Sequence, residues 1–347
     1  MDDATESRVL VPLKGPAWKS FLKYFIFFAG GIAIFLWVYR GQNPDEILHG
    51  LSRFDYGWIA ASFVLALLSH FMRALRWRMM LQSIGHNPKL SNTFLSVLVM
   101  YLANYALPRM GEVTRCGILK KYDRIPFTNQ LGTVVAERAV DFIMLLILLL
   151  IVAAIEWGRF IGFAQSQSLD ESSFMVRLFT SGAIWYFLLA GLLALAVIIL
   201  FRNRLLQIGL LKKMADLGAK FMTGLKSVMK LKNPGLFIFY TLAIYFLYFG
   251  MTYSVMLGFE PTRDLGLLAG LALVTLGSVG MVVPVQGGIG SYHFFSIETL
   301  LLYGVLRDDA VLLALVLHGS MSLFLIFIGV VALLLLPWLN RRTPLKD

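Results

Sequence analysis

Two apolar segments of this chain are interrupted in the same way, a fixed distance apart. The stretches Leu98–Gly111 and Val274–Gly287 both end in the pattern Pro-x-x-Gly, at positions 108 and 111 and again at 284 and 287, a shift of 176 residues. Proline removes a backbone donor and glycine permits unusual dihedral angles, so neither segment is expected to cross a bilayer as one helix. Backbone freed at membrane depth must be covered by protein or reached by water. Paired interruptions in the two halves of a chain favour a transporter.

The composition predicts a protein of the lipid bilayer. Hydrophobic residues make up 58% of the sequence, and the uncharged run Leu178–Phe201 exceeds the roughly 18 residues that a spanning helix needs. The net charge of +11 is explained by basic cytoplasmic loops, so no nucleic acid partner is expected. The single cysteine, Cys116, excludes an intrachain disulfide framework, and no zinc-type spacing is present. We therefore expect no metal and no cofactor.

The predicted fold is an all-α polytopic membrane protein with a single integral membrane domain, residues 1–347. About six full spans are expected, together with two re-entrant hairpins that are broken at the Pro-x-x-Gly patterns. The expected spans are 21–39, 57–78, 131–156, 181–201, 235–257 and 309–337, and the hairpins are 93–122 and 265–304.

The distribution of Lys and Arg predicts the orientation. The N-terminus (1–20), the 202–233 segment and the C-terminal tail fall on the same predicted side of the membrane. This side is the one rich in Lys and Arg and is expected to be cytoplasmic, which gives an N-in/C-in topology. The first hairpin would then enter from the cytoplasm and the second from outside, so repeat one (57–156) and repeat two (235–337) form an inverted repeat. All seven tryptophans are near predicted span ends and are interpreted as interfacial anchors.

The 202–233 segment is the one long hydrophilic stretch. It carries eight Lys or Arg against one acidic residue, Asp216, with apolar residues at helical spacing. This pattern predicts a basic amphipathic helix on the anionic lipids of the inner leaflet. A helix packed on the protein's own cytoplasmic face fits the pattern equally well.

The two predicted hairpin tips differ in charge. Tip one, residues 108–115, contains Arg109, Glu112 and Arg115, whereas tip two, residues 284–293, is neutral and rich in glycine. The second tip is able to present backbone amides to a ligand. Its candidate substrate-binding residues are Gln286, Gly287, Gly288 and Tyr292.

Span 131–156 carries three charges in its first turns. Glu137 and Asp141 share a helix face at spacing i, i+4, and Arg138 approaches Asp141 at i, i+3. Each charge costs about 2.5–3.5 kcal/mol at a span centre, so the three residues are expected to face the protein interior or water. Two interpretations stay open at this point. The charges form a structural ion network that fixes hairpin one, or they bind an anionic head group.

In the second interpretation, arginines bind the phosphate and carboxylates support them. Guanidinium binds phosphate oxygens bidentately, which makes Arg109, Arg115 and Arg138 the candidate ligands. Glu112, Glu137 and Asp141 would orient these arginines or interact with a cation or proton.

A second group of basic residues ends span 57–78. Snorkelling to the interface is the ordinary interpretation for Arg73, Arg76 and Arg78, although Arg73 is deep enough to line the cavity. His293 and His318 are interpreted as hydrogen-bonded packing residues or as members of a proton relay.

Three groups of residues carry a resemblance to a known family. They are Arg73-x-x-Arg76-Trp77 with Leu81; Asn104-x-x-x-Pro108-x-x-x-Glu112-x-x-Arg115, leading to Glu137-Arg138-x-x-Asp141; and Pro284-x-x-Gly287-Gly288-Ile289-Gly290. In this order and spacing they resemble the lysylphosphatidylglycerol synthase transmembrane-domain family of flippase-like membrane proteins, over roughly residues 20–340. The resemblance implies a membrane domain that moves aminoacylated or other phospholipids, or isoprenoid-linked lipids, between leaflets.

The expected function is therefore that of a lipid translocase in a cell membrane, of the bacterial cytoplasmic type. It would move an anionic, aminoacylated or isoprenoid-linked phospholipid without covalent chemistry. No soluble aminoacyl-transferase domain follows the last predicted span, so lipid aminoacylation is not expected. The alternatives are a membrane-embedded lipid-modifying enzyme, a non-transporting membrane partner of one, or a transporter of small solutes. Self-association into a homo-oligomer is left open.

Overall fold

The structure, a computed structural model, describes residues 29–40, 43–107, 110–166 and 231–341. Within these ranges the regular structure is helical and contains no β-strand, so the predicted all-α class is confirmed. The predicted span 181–201 and nearly all of the 202–233 segment lie outside the described residues. The number of spans, the inverted repeat and the N-in/C-in topology stay predictions.

The described helices follow one another with short connections, except that residues outside the described ranges separate α6 from α7. In chain order they are α1 (Ala29–Val38), α2 (Pro44–Leu51), α3 (Tyr56–Ser83), α4 (Leu90–Ala106), α5 (Met110–Asp123), α6 (Phe127–Ser166), α7 (Pro234–Leu257), α8 (Glu260–Arg263), α9 (Gly266–Val282), α10 (Ser291–Leu302) and α11 (Arg307–Leu339). By length and composition, α3, the Phe127–Arg159 part of α6, α7 and α11 are able to cross a membrane. They correspond to four of the predicted spans.

Helices end where the sequence predicted the two breaks. Helix α4 ends at Ala106 and α9 ends at Val282, each two residues before a proline. The chain then reverses, so that α4 and α5 pack together as hairpin one, and α9 and α10 pack together as hairpin two. A 3₁₀ turn, Gln286–Gly288, forms part of the second reversal.

Hydrogen bonds close the base of each hairpin. Asp123 at the end of α5 accepts from the backbone N of Lys89 (3.2 Å) and from Nδ2 of Asn92 (3.0 Å) at the start of α4. In hairpin two, the Tyr303 hydroxyl donates to the carbonyl of Leu268 over 3.4 Å. Both hairpins are therefore antiparallel, with the base and the tip at opposite ends.

One glycine in each hairpin allows the two helices of that hairpin to approach closely. A Cβ added at Gly111 would collide with the carbonyl of Met100 and lie 2.7 Å from Oδ1 of Asn104. The same Asn104 oxygen accepts a hydrogen bond of 2.8 Å from the Gly111 backbone N. A Cβ at Gly280 would lie 2.8 Å from the carbonyl oxygen of Ser291. Only a residue without a side chain fits at these crossings.

Helix α11 runs past both hairpins and shows their arrangement. Its C-terminal neighbour Asn340 donates to Asn92 at the base of hairpin one (2.8 Å), and its N-terminus directly follows the base of hairpin two. Midway, His318 Nε2 donates to the carbonyl of Gly287 (2.7 Å), and Ser322 Oγ accepts from the Tyr105 hydroxyl (2.9 Å). The hairpins thus extend from opposite ends of α11 and meet near its middle.

The helix lengths agree with this arrangement. Helices α4 and α9 have 17 residues each, or about 25 Å at 1.5 Å per residue. Helix α11 has 33 residues, or about 50 Å. Each hairpin therefore reaches about halfway along the long helix.

Helices α3 and α7 lie side by side in opposite directions. At one end the backbone N of Asp55 donates to the carbonyl of Gly258 (2.8 Å), and at the other Arg76 reaches Thr241. Hairpin one begins where α3 ends, and hairpin two begins where α7 ends. Because α3 and α7 are antiparallel, the two hairpins enter the bundle from opposite ends.

Trp77 was predicted to be an interfacial anchor, and the structure corrects this prediction. Helix α3 continues to Ser83 rather than ending near residue 78, so Trp77 lies inside the bundle and is fully buried. Its Nε1 donates to Oγ1 of Thr133 on α6 over 3.0 Å. Four other tryptophans are exposed, at positions 37, 58, 157 and 338, and those at 18 and 185 lie outside the described residues.

Candidate functional site

Charged side chains from three helices meet beside the tip of hairpin one. We call this group the ion cluster: Arg73 and Arg76 from α3, Glu112 and Arg115 from α5, and Glu137, Arg138 and Asp141 from α6. The cluster brings six of the seven charged candidates from the sequence together and adds Arg76. The remaining candidate, Arg109, lies outside the described residues.

Glu137 is the centre of the ion cluster and is fully buried. Its Oε1 accepts from Nη1 of Arg73 (2.5 Å) and from Nη2 of Arg138 (3.1 Å), and its Oε2 accepts from Nη2 of Arg115 (2.8 Å). Nη2 of Arg76 lies 3.5 Å away. Because each carboxylate oxygen is satisfied by guanidinium groups, Glu137 stays charged despite its burial.

Asp141 lies one helical turn further along α6 and binds the same arginines from the other side. Its Oδ1 accepts from Nη2 of Arg76 (2.7 Å), and its Oδ2 lies 3.0 Å from Nη1 of Arg73 and 3.3 Å from Nη2 of Arg138. The spacing of Glu137 and Asp141 on one helix face is what allows this shared binding. The carboxylates thus orient arginines, in line with one of the roles that the sequence left open.

Arg76 corrects the snorkelling interpretation because it is buried, whereas Arg73, also buried, lines the cavity, which is the alternative that the sequence left open for it. Nη2 of Arg73 donates to the Tyr248 hydroxyl (2.9 Å), and Nη1 of Arg76 donates to Oγ1 of Thr241 (3.2 Å), both on α7. Carboxylates on α6 lie at the same depth and provide the counter-charge that the interface would otherwise supply. Arg78, by contrast, turns away from the cluster and donates to the carbonyl of Pro88 and to Asn87.

A cavity of about 790 Å³ lies between the ion cluster and the tip of hairpin two. Three predicted site residues, Arg73, Glu112 and Arg138, line one side of it, and three others, Gly287, Gly288 and Tyr292, line the side of hairpin two. Most of the remaining wall is apolar. It includes Met251, Val255, Val274, Met281, Leu317 and Leu325. A polar region facing an apolar one is the arrangement that an amphipathic ligand requires.

Four predicted site residues do not line this cavity in the described part of the chain. Arg115, Glu137 and Asp141 lie behind its wall, inside the ion cluster. The Gln286 amide points towards hairpin one, where its Nε2 donates to the carbonyls of Tyr105 (3.0 Å) and Ala106 (2.6 Å). Gln286 therefore joins the two tips.

Arg138 is the member of the ion cluster most accessible from the cavity. Its side chain is 44% exposed, whereas those of Arg73, Arg76 and Arg115 are at most 5% exposed. The Glu112 side chain is 22% exposed and its Oε1 lies 3.9 Å from Nη1 of Arg138, too far for a hydrogen bond. A ligand in the cavity would therefore meet Arg138 first, with Glu112 beside it.

The tip of hairpin two is shaped by glycines in left-handed conformations. Gly287, Gly288 and Gly290 have φ values of 59°, 76° and 83°, which other L-residues rarely adopt. His318 donates to the Gly287 carbonyl, and the Gly290 backbone N donates to Nδ1 of His293 (3.2 Å). Both histidines hold the tip, which agrees with their interpretation as hydrogen-bonded packing residues.

Comparison with known proteins identifies the family to which this chain belongs. The family described as "Lysylphosphatidylglycerol synthase TM region" matches residues 21–329. The chain belongs to this family. The match confirms the resemblance that the three motif groups carried.

Comparisons with individual proteins and with solved structures give a partial match and no match, respectively. The glycosyltransferase AglD of Haloferax volcanii is 24% identical over 141 residues, which is 40% of this chain and 22% of that relative. The chain therefore spans about a fifth of the length of this curated relative. No solved structure matches.

The sequence analysis missed several polar residues in the cavity of this family member. They include His70, Tyr101 and Tyr248, and also Asn104, which the sequence analysis named only as part of a motif. The His70 ring lies 4.3 Å from the Tyr101 ring, and the hydroxyls of Tyr101 and Tyr248 are 3.4 Å apart. A hydroxyl or imidazole within an apolar helix was the available signal, because such a group usually needs a partner when it is buried.

Proposed function

We propose that the protein is a lipid translocase that moves an anionic, aminoacylated or isoprenoid-linked phospholipid between the leaflets of a membrane. The observation that supports this most is the cavity between the two hairpin tips, with Arg138 on a charged wall and an extensive apolar wall opposite. The head group would enter beside Arg138 while the acyl or isoprenoid chains remain among apolar side chains and lipid. The family description, which refers to a lipid synthase, supports a lipid substrate.

We propose further that the two hairpins are re-entrant halves of an inverted repeat in a bacterial cytoplasmic membrane, with both termini in the cytoplasm. The positive-inside distribution of Lys and Arg supports this orientation. In this proposal the tips separate in turn towards each leaflet, and the contact of Gln286 with Tyr105 and Ala106 represents the closed arrangement. Transport then requires movement of the hairpins and no covalent chemistry.

The site residue that we expect to matter most for transport is Arg138. A hydrogen bond to a charged group contributes about 1.5–3 kcal/mol, so Arg138→Gln should slow leaflet exchange of an anionic phospholipid by about ten-fold or more. The measurement uses purified protein in vesicles that contain acyl-labelled phosphatidylglycerol, with chemical quenching of the outer leaflet.

Arg159→Gln provides the matched control for this measurement. Arg159 is on the same helix, pairs with Glu156 (2.8 Å) and is not among the residues that line the cavity. It should leave the exchange rate near that of the unmodified protein. Equal rates for Arg138→Gln and the unmodified protein, with both correctly folded, would contradict the proposed site.

A second candidate function is chemical handling of a lipid-linked sugar. The relative named as a glycosyltransferase favours it, although the match covers only 22% of that protein. Mass spectrometry of lipids incubated with the purified protein separates the two candidates. A lipid of changed mass would favour an enzyme or the partner of one, whereas redistribution without a change of mass favours translocation.

A further inference from the structure

The ion cluster contains one more positive than negative charge. Its buried arginines, Arg73, Arg76 and Arg115, face two carboxylates, Glu137 and Asp141, so one positive charge is left uncompensated by this group. The remaining members of the cluster are Arg138 and Glu112, which cancel each other in net charge. In a low-dielectric environment, this excess favours a ligand that brings one negative charge.

Arg138 has one side of its guanidinium available for such a ligand. Nη2 is used by Glu137 and lies near Asp141, at 3.1 and 3.3 Å. Nη1 lies 3.9 Å from Glu112 Oε1 and makes no hydrogen bond with it. Arg138 lines the cavity, and among the described residues its Nη1 has no carboxylate within hydrogen-bond distance, whereas Nη2 is held by carboxylates.

Glu112 remains a nearly uncompensated carboxylate next to Nη1 of Arg138. Its Oε2 is buried and has no hydrogen-bond partner among the described residues, and within that part of the chain the Arg138 nitrogen at 3.9 Å is its one ion-pair contact. It occupies the first turn of α5, close to the positive end of the helix dipole. Glu112 thus places a fixed negative charge at the same point of the cavity as the exposed guanidinium.

We infer that Glu112 is a specificity-determining residue, which limits the head group to a single negative charge. The ligand class that fits is a phosphodiester lipid, whereas phosphomonoester and diphosphate lipids are disfavoured. This inference rests on the proposed function, because it describes how the same cavity selects its lipid. It also narrows the substrate, since isoprenoid lipids with a diphosphate would fall outside it.

The physical basis is repulsion between like charges beside the attractive group. One phosphodiester oxygen would accept from Nη1 of Arg138, and the charge of the phosphodiester offsets the excess charge of the cluster. A second negative charge on the same phosphorus, or on the next one, would lie against the Glu112 carboxylate. Specificity commonly arises from such a repulsive element placed next to an attractive one.

The test compares leaflet exchange of three acyl-labelled lipids by the full-length protein in phosphatidylcholine vesicles at pH 8. Phosphatidylglycerol carries one negative charge, phosphatidic acid carries between one and two because a phosphomonoester releases a second proton in this pH region, and phosphatidylethanolamine is close to neutral. The unmodified protein should exchange phosphatidylglycerol about ten-fold faster than phosphatidic acid. Glu112→Gln should raise the rate for phosphatidic acid more than the rate for phosphatidylglycerol and bring the ratio near one.

Asp309→Asn is the matched control, because Asp309 pairs with Arg53 at the opposite end of the bundle and is not among the cavity-lining residues. It should leave the ratio unchanged. Two results would overturn the inference. One is an unchanged ratio for a folded Glu112→Gln variant, and the other is a selective loss of phosphatidylethanolamine exchange, which would assign Glu112 to binding an ammonium group.

A binding measurement separates failure of this inference from failure of the proposed function. Native mass spectrometry of the same variants with phosphatidylglycerol and phosphatidic acid reports head-group selectivity without any movement. Selective binding that Glu112→Gln abolishes, in a protein that exchanges no lipid, would retain the specificity role and remove the translocase. Binding without selectivity by the unmodified protein would overturn the specificity role whether or not lipids move.

Discussion

The two hairpins face the same cavity, but different chemistry holds each of them in place. Hairpin one is fixed by charge, because Arg115 on α5 donates to Glu137 on α6 and lies over the Trp77 ring at 4.3 Å. Hairpin two has a neutral tip. Its backbone makes the contacts instead: the Gly287 carbonyl accepts from His318 on α11, and the Gly290 backbone N donates to His293 within the hairpin.

The difference indicates a division of roles between the halves of the molecule. In the proposed function the charged hairpin presents groups that recognise a head group, but its position depends on a network in which each member needs the others. A glycine-rich hairpin provides little charge, and its backbone approaches its neighbours closely instead. At Gly290, an added Cβ would lie 2.7 Å from the carbonyl oxygen of Gly31 on α1. The two hairpins should therefore respond to different kinds of substitution.

The largest loss of unfolding free energy is expected from removing the charge that fixes hairpin one. Glu137→Gln would leave Arg73 and Arg115 buried with reduced compensation, and breaking a buried ion pair from one side costs about 3–5 kcal/mol. Thermal or denaturant unfolding in detergent measures this loss. Asp309→Asn removes a partly exposed pair with Arg53 and should cost no more than about 1 kcal/mol. Similar losses for the two variants would mean that charge does not fix hairpin one.

The ion cluster also shows which side-chain positions could be predicted from the sequence and which could not. Glu137 and Asp141 were predicted to face the interior because charges at membrane depth are costly and because spacing i, i+4 puts them on one face. Arg76 and Trp77 were assigned to the interface instead. Their burial depends on α3 lying between α6 and α7, and on α3 continuing to Ser83. Neither fact can be derived from the composition of one segment.

Tip two was predictable in conformation but not in its contacts. The glycines indicated unusual dihedral angles, and Gly287, Gly288 and Gly290 have positive φ. Gln286 was predicted to contact substrate, whereas its amide binds the end of α4. A pattern within one hairpin does not reveal that the other hairpin lies against it, because this contact joins residues about 180 positions apart.

An intermediate loss of unfolding free energy is expected from placing a side chain in the space beside the tip of hairpin two. Alanine at a positive φ costs about 1–2 kcal/mol, and overpacking adds about 1–3 kcal/mol. Gly290→Ala should incur both costs, because its Cβ would lie 2.7–2.8 Å from atoms of α1. Gly85→Ala isolates the first cost, since Gly85 has φ +87° and nothing lies within 4 Å of an added Cβ. Equal unfolding free energies for the two variants would show that hairpin two does not depend on close packing.

The smallest effect is expected where the hairpins touch. Gln286→Ala removes the amide that donates to the carbonyls of Tyr105 and Ala106, and an ordinary hydrogen bond contributes about 1 kcal/mol. Water in the cavity can replace part of this interaction, so the unfolding free energy should fall by about 1 kcal/mol or less. Gln82→Ala is the control, since that exposed amide donates only to Asn87 among the described residues. If the tips separate during transport, Gln286→Ala should change the rate of lipid exchange while Gln82→Ala does not. A large loss of stability with an unchanged rate would instead mean that the contact between the hairpins is a fixed part of the fold, and that neither tip moves as a gate.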